Sequence, residues 1–372
     1  MLKTTLNQIG CSFLIILVGL SAACSRGIFP DTLETRIDKY MQQYHASFSG
    51  MIFVAQKGKV LISQGYGLAD RELDVPNTAR TKYAIGSISK SFTAMAIMIL
   101  QQRGQLTVQD PLCNYIADCP ATWKPITLHH LLTHTSGIHN YTDLYPELKN
   151  KLNICLEHKP EEVIAYFKDL PLDFAPGSRW SYSNSGYFLL GLVIEKVSGE
   201  SYETFIQKNI LQPLAMSESG YDRSSAILKN RASGYSIDRP YYDIVNAPCW
   251  DVSLLLGAGG LYSTGSDLYK WDQALYTEQL VSKETMNTIF TSTVPILPGL
   301  GFPDGAAYGY GWIISRHLGH QLVEHSGGVN GFVADLARYP DDQVTIIVLS
   351  NTDWEKPDQI SKGLADILLG VK

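Results

Sequence analysis

The 372-residue sequence predicts an α+β fold: an antiparallel sheet flanked by helices, interrupted by an inserted, mainly helical lobe. Three observations predict it. Strand-like apolar runs occur near both ends of the chain, helical patterns at 31–46 and about 356–370 bracket them, and the apolar spacing between about 105 and 290 is mostly helical. The two ends must therefore share one sheet, with the middle folding as a lobe beside it.

Residues 31–46 follow Pro30-Asp31-Thr32 and alternate charged and apolar positions at helical spacing. Residues 51–55 and 60–63 read as strands, and Lys57-Gly58-Lys59 between them as a hairpin turn. A helix over 87–103 starts after Ala84-Ile85-Gly86 and stops at Gly104. The segment 105–290 is broken by Pro, Gly and Asn loops. Strand character returns at 312–314, 322–324, 332–336 and 344–349.

The N-terminus has a secretory layout: Lys3, the apolar run Phe13-Leu14-Ile15-Ile16-Leu17-Val18, then small residues before Cys24. Residues 1–23 read as a signal peptide. Leu20-Ser21-Ala22-Ala23-Cys24 also resembles a bacterial lipobox, in which the cysteine is lipidated and anchors the mature chain at a membrane, giving a periplasmic or cell-surface location. The apolar core is shorter than the ~20 residues of a membrane span, which disfavours a retained anchor. The domain proper is expected over 31–372.

Hydrophobic residues make up 45 % and charged residues 18 %, the balance of a globular enzyme. The net charge of -6, without any basic run, disfavours a nucleic-acid partner, which needs clustered Lys and Arg. Of the six cysteines, Cys113 and Cys119 are close enough to bridge a short loop or to remain free thiols, and Cys155 and Cys249 carry no assignment.

Ser87-Ile88-Ser89-Lys90 is the only Ser-x-x-Lys in the chain. Three residues of helix bring Lys90 onto the face of Ser87, with β-carbons about 5–6 Å apart, so an amine reaches the hydroxyl. A serine alcohol is a poor nucleophile until something takes its proton. Farther on stand the only Tyr-x-Asn, Tyr182-Ser183-Asn184, and then His325-Ser326-Gly327-Gly328 after a strand-like run.

These elements, in this order, resemble the β-lactamase-related serine hydrolases of the class C type, which include D,D-peptidases, D-aminopeptidases and family VIII carboxylesterases. Leu131-Leu132-Thr133-His134-Thr135-Ser136-Gly137-Ile138, Gly259-Gly260-Leu261-Tyr262-Ser263-Thr264 and Tyr308-Gly309-Tyr310-Gly311-Trp312 resemble recurrent segments of the same family, so the match runs from about residue 31 to the C-terminus. The resemblance implies a β-lactamase/transpeptidase-like fold with the active site in the cleft between sheet and lobe.

It also implies roles. Ser87 is the nucleophile that forms an acyl-enzyme, and the backbone N–H groups of Ser87 and Gly328 hold the oxyanion, with Gly327 beside them. Tyr182 serves as general base with Lys90 holding it near the proton's path, or a neutral Lys90 takes the proton and Tyr182 relays it. Phenol titrates near roughly 10, so the first route needs cationic neighbours. Asn184 orients substrate or ties Lys90. His325 stands where the β-lactam enzymes carry lysine, and imidazole is largely neutral near pH 7, so substrate carboxylates are expected to be recognised weakly.

The expected substrate is a small ester, a D-amino-acid amide or peptide, or a cell-wall fragment. D,D-carboxypeptidase or β-lactamase action is the alternative. A non-catalytic sensor of cell-wall fragments is the alternative of another class, and the complete Ser-Lys-Tyr-Asn set argues against it. No cofactor or metal is called for. His130 and His134 lack the Glu of a His-Glu-x-x-His site and are read as packing or capping residues. Gly257-Ala258-Gly259-Gly260 lacks the following Lys-Ser or Lys-Thr of a phosphate loop and reads as close backbone packing. The absence of a Gly-x-Ser-x-Gly elbow counts against an α/β-hydrolase.

Overall fold

The computed structural model describes residues 32–44, 48–144, 150, 152–239, 241–291 and 293–370. The expected signal peptide, residues 1–23, and Cys24 lie outside them. Among the described residues, no helix is long and apolar enough to cross a membrane.

The main elements in chain order are α1 (Leu33–Gln42), β1 (Gly50–Gln56), β2 (Lys59–Tyr66), α2 (Ser89–Gln102), α3 (Leu128–Leu132), α4 (Asn184–Ser198), α5 (Gly265–Ala274), β3 (Val294–Pro295), β4 (Ala307–Tyr308), β5 (Ile313–His317), β6 (His320–Val329), β7 (Phe332–Tyr339), β8 (Val344–Ser350) and α6 (Pro357–Leu369). The strands form one eight-stranded antiparallel sheet, ordered β3-β4-β5-β6-β7-β8-β1-β2. The N-terminal hairpin thus pairs with the last strand, Gly50 opposite Ser350 and Gln56 opposite Val344, as strands at both chain ends require.

Period-two alternation divides this sheet between two cores. Ile52, Val54, Ile346 and Val348 face α1 and α6, where Ile37, Met41, Ile360 and Leu364 cover them. Met51, Phe53, Ile347 and Leu349 face the other way, into the large core shared with α2, α4 and the lobe. Residues 94–100 of α2 are buried all round, the state expected of a helix without a polar face. Phe92 stacks on Trp271 at 4.3 Å between ring centroids, tying α2 to α5.

The lobe is less uniform than its periodicity suggests. Helix α5 lies within 105–290 yet packs on β1 and β8, and a side chain at Gly265 would place its Cβ 2.3 Å from the Met51 sulfur. The lobe also carries short strands. Leu261–Ser263 pairs with Tyr83–Ala84 on one side and Gly220–Tyr221 on the other, and Tyr235–Asp238 forms a hairpin with Asp243–Asn246. Disulfides join Cys113 to Cys119 and Cys155 to Cys249.

Two local expectations are corrected. Ser87 does not open an α-helix. It sits in a 3₁₀ turn, Gly86–Ile88, that leads into α2. The His-Ser-Gly segment does not follow a strand but lies inside β6, whose ladder with β7 continues through Val329.

Candidate active site

Ser87, Lys90, Tyr182 and Asn184 meet at the junction of α2, α4 and β6. Lys90 Nζ is 2.9 Å from Ser87 Oγ, 2.8 Å from Asn184 Oδ1 and 2.6 Å from the Ala258 carbonyl. The Tyr182 hydroxyl donates to Ser87 Oγ at 2.7 Å. Both reach the nucleophile directly. Asn184 is the first residue of α4 after the N-cap Ser183, whose hydroxyl accepts the Gly186 N–H. Its amide nitrogen donates to Thr142 Oγ1 at 3.0 Å, and its backbone N–H to Asn140 Oδ1 at 2.9 Å.

Lys90 is fully buried, and desolvation holds its amine well below the ordinary lysine range. The contacts fit that state. A neutral amine has two N–H donors, matched by the acceptors Asn184 Oδ1 and Ala258 O, and one lone pair that accepts the Ser87 hydroxyl proton. Burial pushes the Tyr182 phenol the opposite way, toward its protonated form, which suits a donor to Ser87 Oγ.

Two glycines let β6 reach the nucleophile. Beyond Glu324, β6 leaves the ladder with β5 and turns that edge toward Ile85–Ser87. A Cβ at Gly327 would lie 2.0 Å from the Ile85 carbonyl oxygen and 3.0 Å from the Ser87 nitrogen. Gly86 adopts φ +50°, and its Cβ would lie 2.6 Å from the Gly328 nitrogen. The backbones of Ser87 and Gly328 therefore meet at one edge of the cleft.

That cleft, about 290 Å³, is lined by Ser87, Thr142, Asn184, Trp250, Gly328 and Asn330 among others, and among the described residues no Lys, Arg or His lines it. His325 is the correction. Its side chain is buried, with a total exposure of 2 %, and both ring nitrogens are occupied: Nδ1 at 2.6 Å from the Ser326 carbonyl and Nε2 at 2.9 Å from the Tyr308 hydroxyl. A carbonyl only accepts, so the proton is on Nδ1 and Tyr308 donates to Nε2. Burial above all lowers the imidazole to about 3, so it is neutral. His325 supports the site from behind.

The layer around it is aromatic. His134 packs 4.4 Å from the Tyr182 ring and 4.5 Å from that of Tyr308, and its Nδ1 accepts the Ser183 N–H at 3.1 Å. His130 instead closes the capping box of α3 with Thr127, so the two histidines serve separate structural ends. Among the described residues, no group of His, Cys, Asp and Glu is placed to hold a metal.

The sequence reading missed Ala258, Thr142 and Tyr308 as partners of the site. Tyr308 opens the Tyr-Gly-Tyr-Gly-Trp segment, which carried the resemblance without a role. Ala258 acts through its carbonyl, which residue type does not announce, although the glycines around it mark a close approach: a Cβ at Gly257 would lie 2.7 Å from the Tyr187 carbonyl oxygen.

The comparisons agree with this geometry. The Beta-lactamase family model matches residues 33–369. Penicillin-binding protein 4* of Bacillus subtilis is 32 % identical over 337 residues, covering 87 % of this chain and 73 % of that protein. Among solved structures, the octameric penicillin-binding protein homologue from Pyrococcus abyssi superposes with a TM-score of 0.78 at 34 % identity, covering 91 % of this chain and 77 % of that one. A penicillin-binding protein from Bacillus halodurans gives 0.74 at 28 % identity, covering 90 % and 97 %. With its sheet, lobe and serine centre, the chain belongs to the beta-lactamase family and is a serine hydrolase of that superfamily.

Proposed function

We propose that Ser87 forms an acyl-enzyme on an ester or a D-amino-acid amide or peptide, with neutral Lys90 as the base of acylation. The observation that carries this is the fully buried Lys90 amine, 2.9 Å from Ser87 Oγ with its other two contacts made to acceptors. The Ser87 proton passes to Lys90 as Oγ bonds to the carbonyl carbon. The backbone N–H groups of Ser87 and Gly328 hold the oxyanion. As the carbon–leaving-group bond breaks, Tyr182 gives its proton to the leaving group. The resulting phenolate is balanced by the Lys90 ammonium, 4.8 Å from the Tyr182 ring centroid. In deacylation water attacks the acyl carbon and yields a proton to the phenolate, while Lys90 reprotonates the departing Ser87 Oγ. Every proton is accounted for, and no cofactor enters.

The test is hydrolysis of p-nitrophenyl acetate and butyrate by the wild type beside Ser87→Ala. Equal slow rates, with no fluorophosphonate adduct on the intact wild-type mass, would refute the assignment. Adduct formation that is lost in Ser87→Ala would exclude an inert sensor.

A second reading, acylation by penicillins or D,D-carboxypeptidase action, is favoured by relatives named as penicillin-binding proteins. Against efficient turnover stand a neutral His325 and a cleft that no Lys, Arg or His lines among the described residues. Labelling with a fluorescent penicillin and its rate of release separate the two.

We further infer export, with lipidation at Cys24. Two disulfides support an oxidising compartment. Cys24→Ser is expected to move the protein from the membrane fraction to the soluble fraction of an expressing bacterium.

A further inference from the structure

The face of the sheet turned away from Ser87 carries two acids that the mechanism does not use. On β6, His325 points toward the serine centre, and by alternation Glu324 points to the opposite face, under α6. Glu324 stands opposite Ala337 of β7, and Asp335 lies two residues before Ala337. The two carboxyls are therefore diagonal neighbours on one face, their backbones about 7–8 Å apart and within reach of each other's side chains. Asp335 shares that face with its β8 partner Val348. It is 0 % exposed, and Glu324 6 %.

This layer supplies them with no donor. Both Asp335 oxygens and Glu324 Oε2 are buried without a hydrogen-bond partner among the described residues. The Ser361 hydroxyl of α6 stands beside Asp335 without closing a hydrogen bond, and the Tyr339 hydroxyl of β7 is likewise unpartnered. The other charged and titratable groups around the pair are Asp358, Lys362 and Asp366 of α6 and His317 of β5. Lys362 makes its ion pair with Asp358 at 3.6 Å, and His317 with Asp366 at 2.7 Å. Two bare carboxylates side by side in a core cost far more than one carboxylate beside a carboxylic acid. Burial raises both groups, and the Glu324 charge raises Asp335 further.

At this point β6 is held on one side only. Its ladder with β5 ends at Glu324, and from His325 to Val329 it pairs with β7 alone among the described strands. Gly327 and Gly328, which meet the nucleophile turn, lie in that singly held stretch.

We propose that Glu324 and Asp335 retain one proton between them in the folded protein, and that this proton keeps β6 seated on β7 where it carries the oxyanion edge. Both are positioning residues. Loss of the proton leaves two like charges across the ladder, and the strands part where Gly328 presents its N–H. The effect on rate rests on the acyl-enzyme reading above; the proton itself does not.

Infrared difference spectra at pH 7, wild type minus Asp335→Asn, read the proton. The expected band lost in the variant is that of a carboxylic acid, and loss of a carboxylate band instead overturns the proposal. Urea melts between pH 5 and 9 give a second reading. The folded pair holds a proton that the unfolded chain, with acids titrating near about 4, has released. Wild-type stability is therefore expected to fall relative to Asp335→Asn as pH rises, by up to about tenfold in the unfolding constant per pH unit, until the folded pair ionises. His325 and Lys90 contribute equally to both proteins and drop out of the comparison. Parallel curves overturn the proposal. Both readings can be made in a Ser87→Ala background, so they stand or fall apart from the acyl-enzyme reading. For positioning, kcat for p-nitrophenyl butyrate is expected to fall between pH 7 and 10 in the wild type with KM steady. It should fall less in Asp335→Asn, whose amide donates to Glu324 as the acid does. An equal alkaline fall in both overturns the positioning role. Where Asp335→Asn does not fold, Glu324→Gln replaces it in every comparison.

Discussion

Asn184 binds the Lys90 amine through a 2.8 Å hydrogen bond that ties the first residue of the lobe helix α4 to the first turn of α2. One side of the cleft thereby fixes the base that works on the other. Asn184→Ala is expected to lower kcat for p-nitrophenyl butyrate more than it raises KM, because it frees Lys90 without removing the nucleophile. Lys90→Met is expected to cost about 10²–10⁴-fold in kcat, the usual range for a positioned acid or base. A Lys90→Met loss below tenfold would transfer the base role to Tyr182.

The pH dependence has a definite sign. Lys90 acts as a neutral amine, and burial lowers its titration. Acylation should therefore fall as pH drops through that lowered value and stay high well below the ordinary lysine range. A rate that rises only as pH approaches about 10 would mean that an unshifted amine or phenol controls it.

His325 leaves its mark on stability. Its imidazole titrates near 3 in the folded protein and at an ordinary value, about 6.5, when unfolded. Between these values the unfolded chain binds the extra proton, so unfolding free energy rises with pH across that window. His325→Gln is expected to flatten this slope in urea melts taken between pH 4 and 6.5. An unchanged slope would place the charge change elsewhere.

Gly327 is a steric requirement. A methyl there meets the Ile85 carbonyl at 2.0 Å, so Gly327→Ala must push β6 away from Ser87. The expected loss in kcat is about 10²–10³-fold, equivalent to one oxyanion donor, with Gly328 the donor displaced. Crystallography of the variant would check that displacement directly.

The two disulfides should differ in worth. Cys155 and Cys249 close a separation of 94 residues, and Cys113 and Cys119 one of 6. Loop entropy assigns about 5 kcal/mol to the first and about 2 kcal/mol to the second. Comparing the urea midpoints of the two double Cys→Ser variants measures the order.

The sheet and the Ser87–Lys90 pair were legible because both follow from short-range patterns: apolar runs in β1 and β8, and three residues of helical rotation. Tyr182 and Asn184 could be joined to them only through the family resemblance, since no local rule links positions 94 or 95 residues apart. The pairing of Cys155 with Cys249 was closed to spacing for the same reason. His325 was misplaced as a cleft residue because residue type shows which group is present but not whether its nitrogens are already occupied. Helix α5 was folded into the lobe because helical periodicity does not say which apolar surface a helix will cover.

The pairing of β1 with β8 also sets a schedule. Gly50 cannot find Ser350 until the chain has been made through β8, and β6 gains its β7 neighbour only shortly before. Contacts of such long sequence separation form slowly. The nucleophile turn, held against Gly327 and Gly328, therefore assembles only after β6 and its neighbours are made, and the newborn chain stays chemically silent until then.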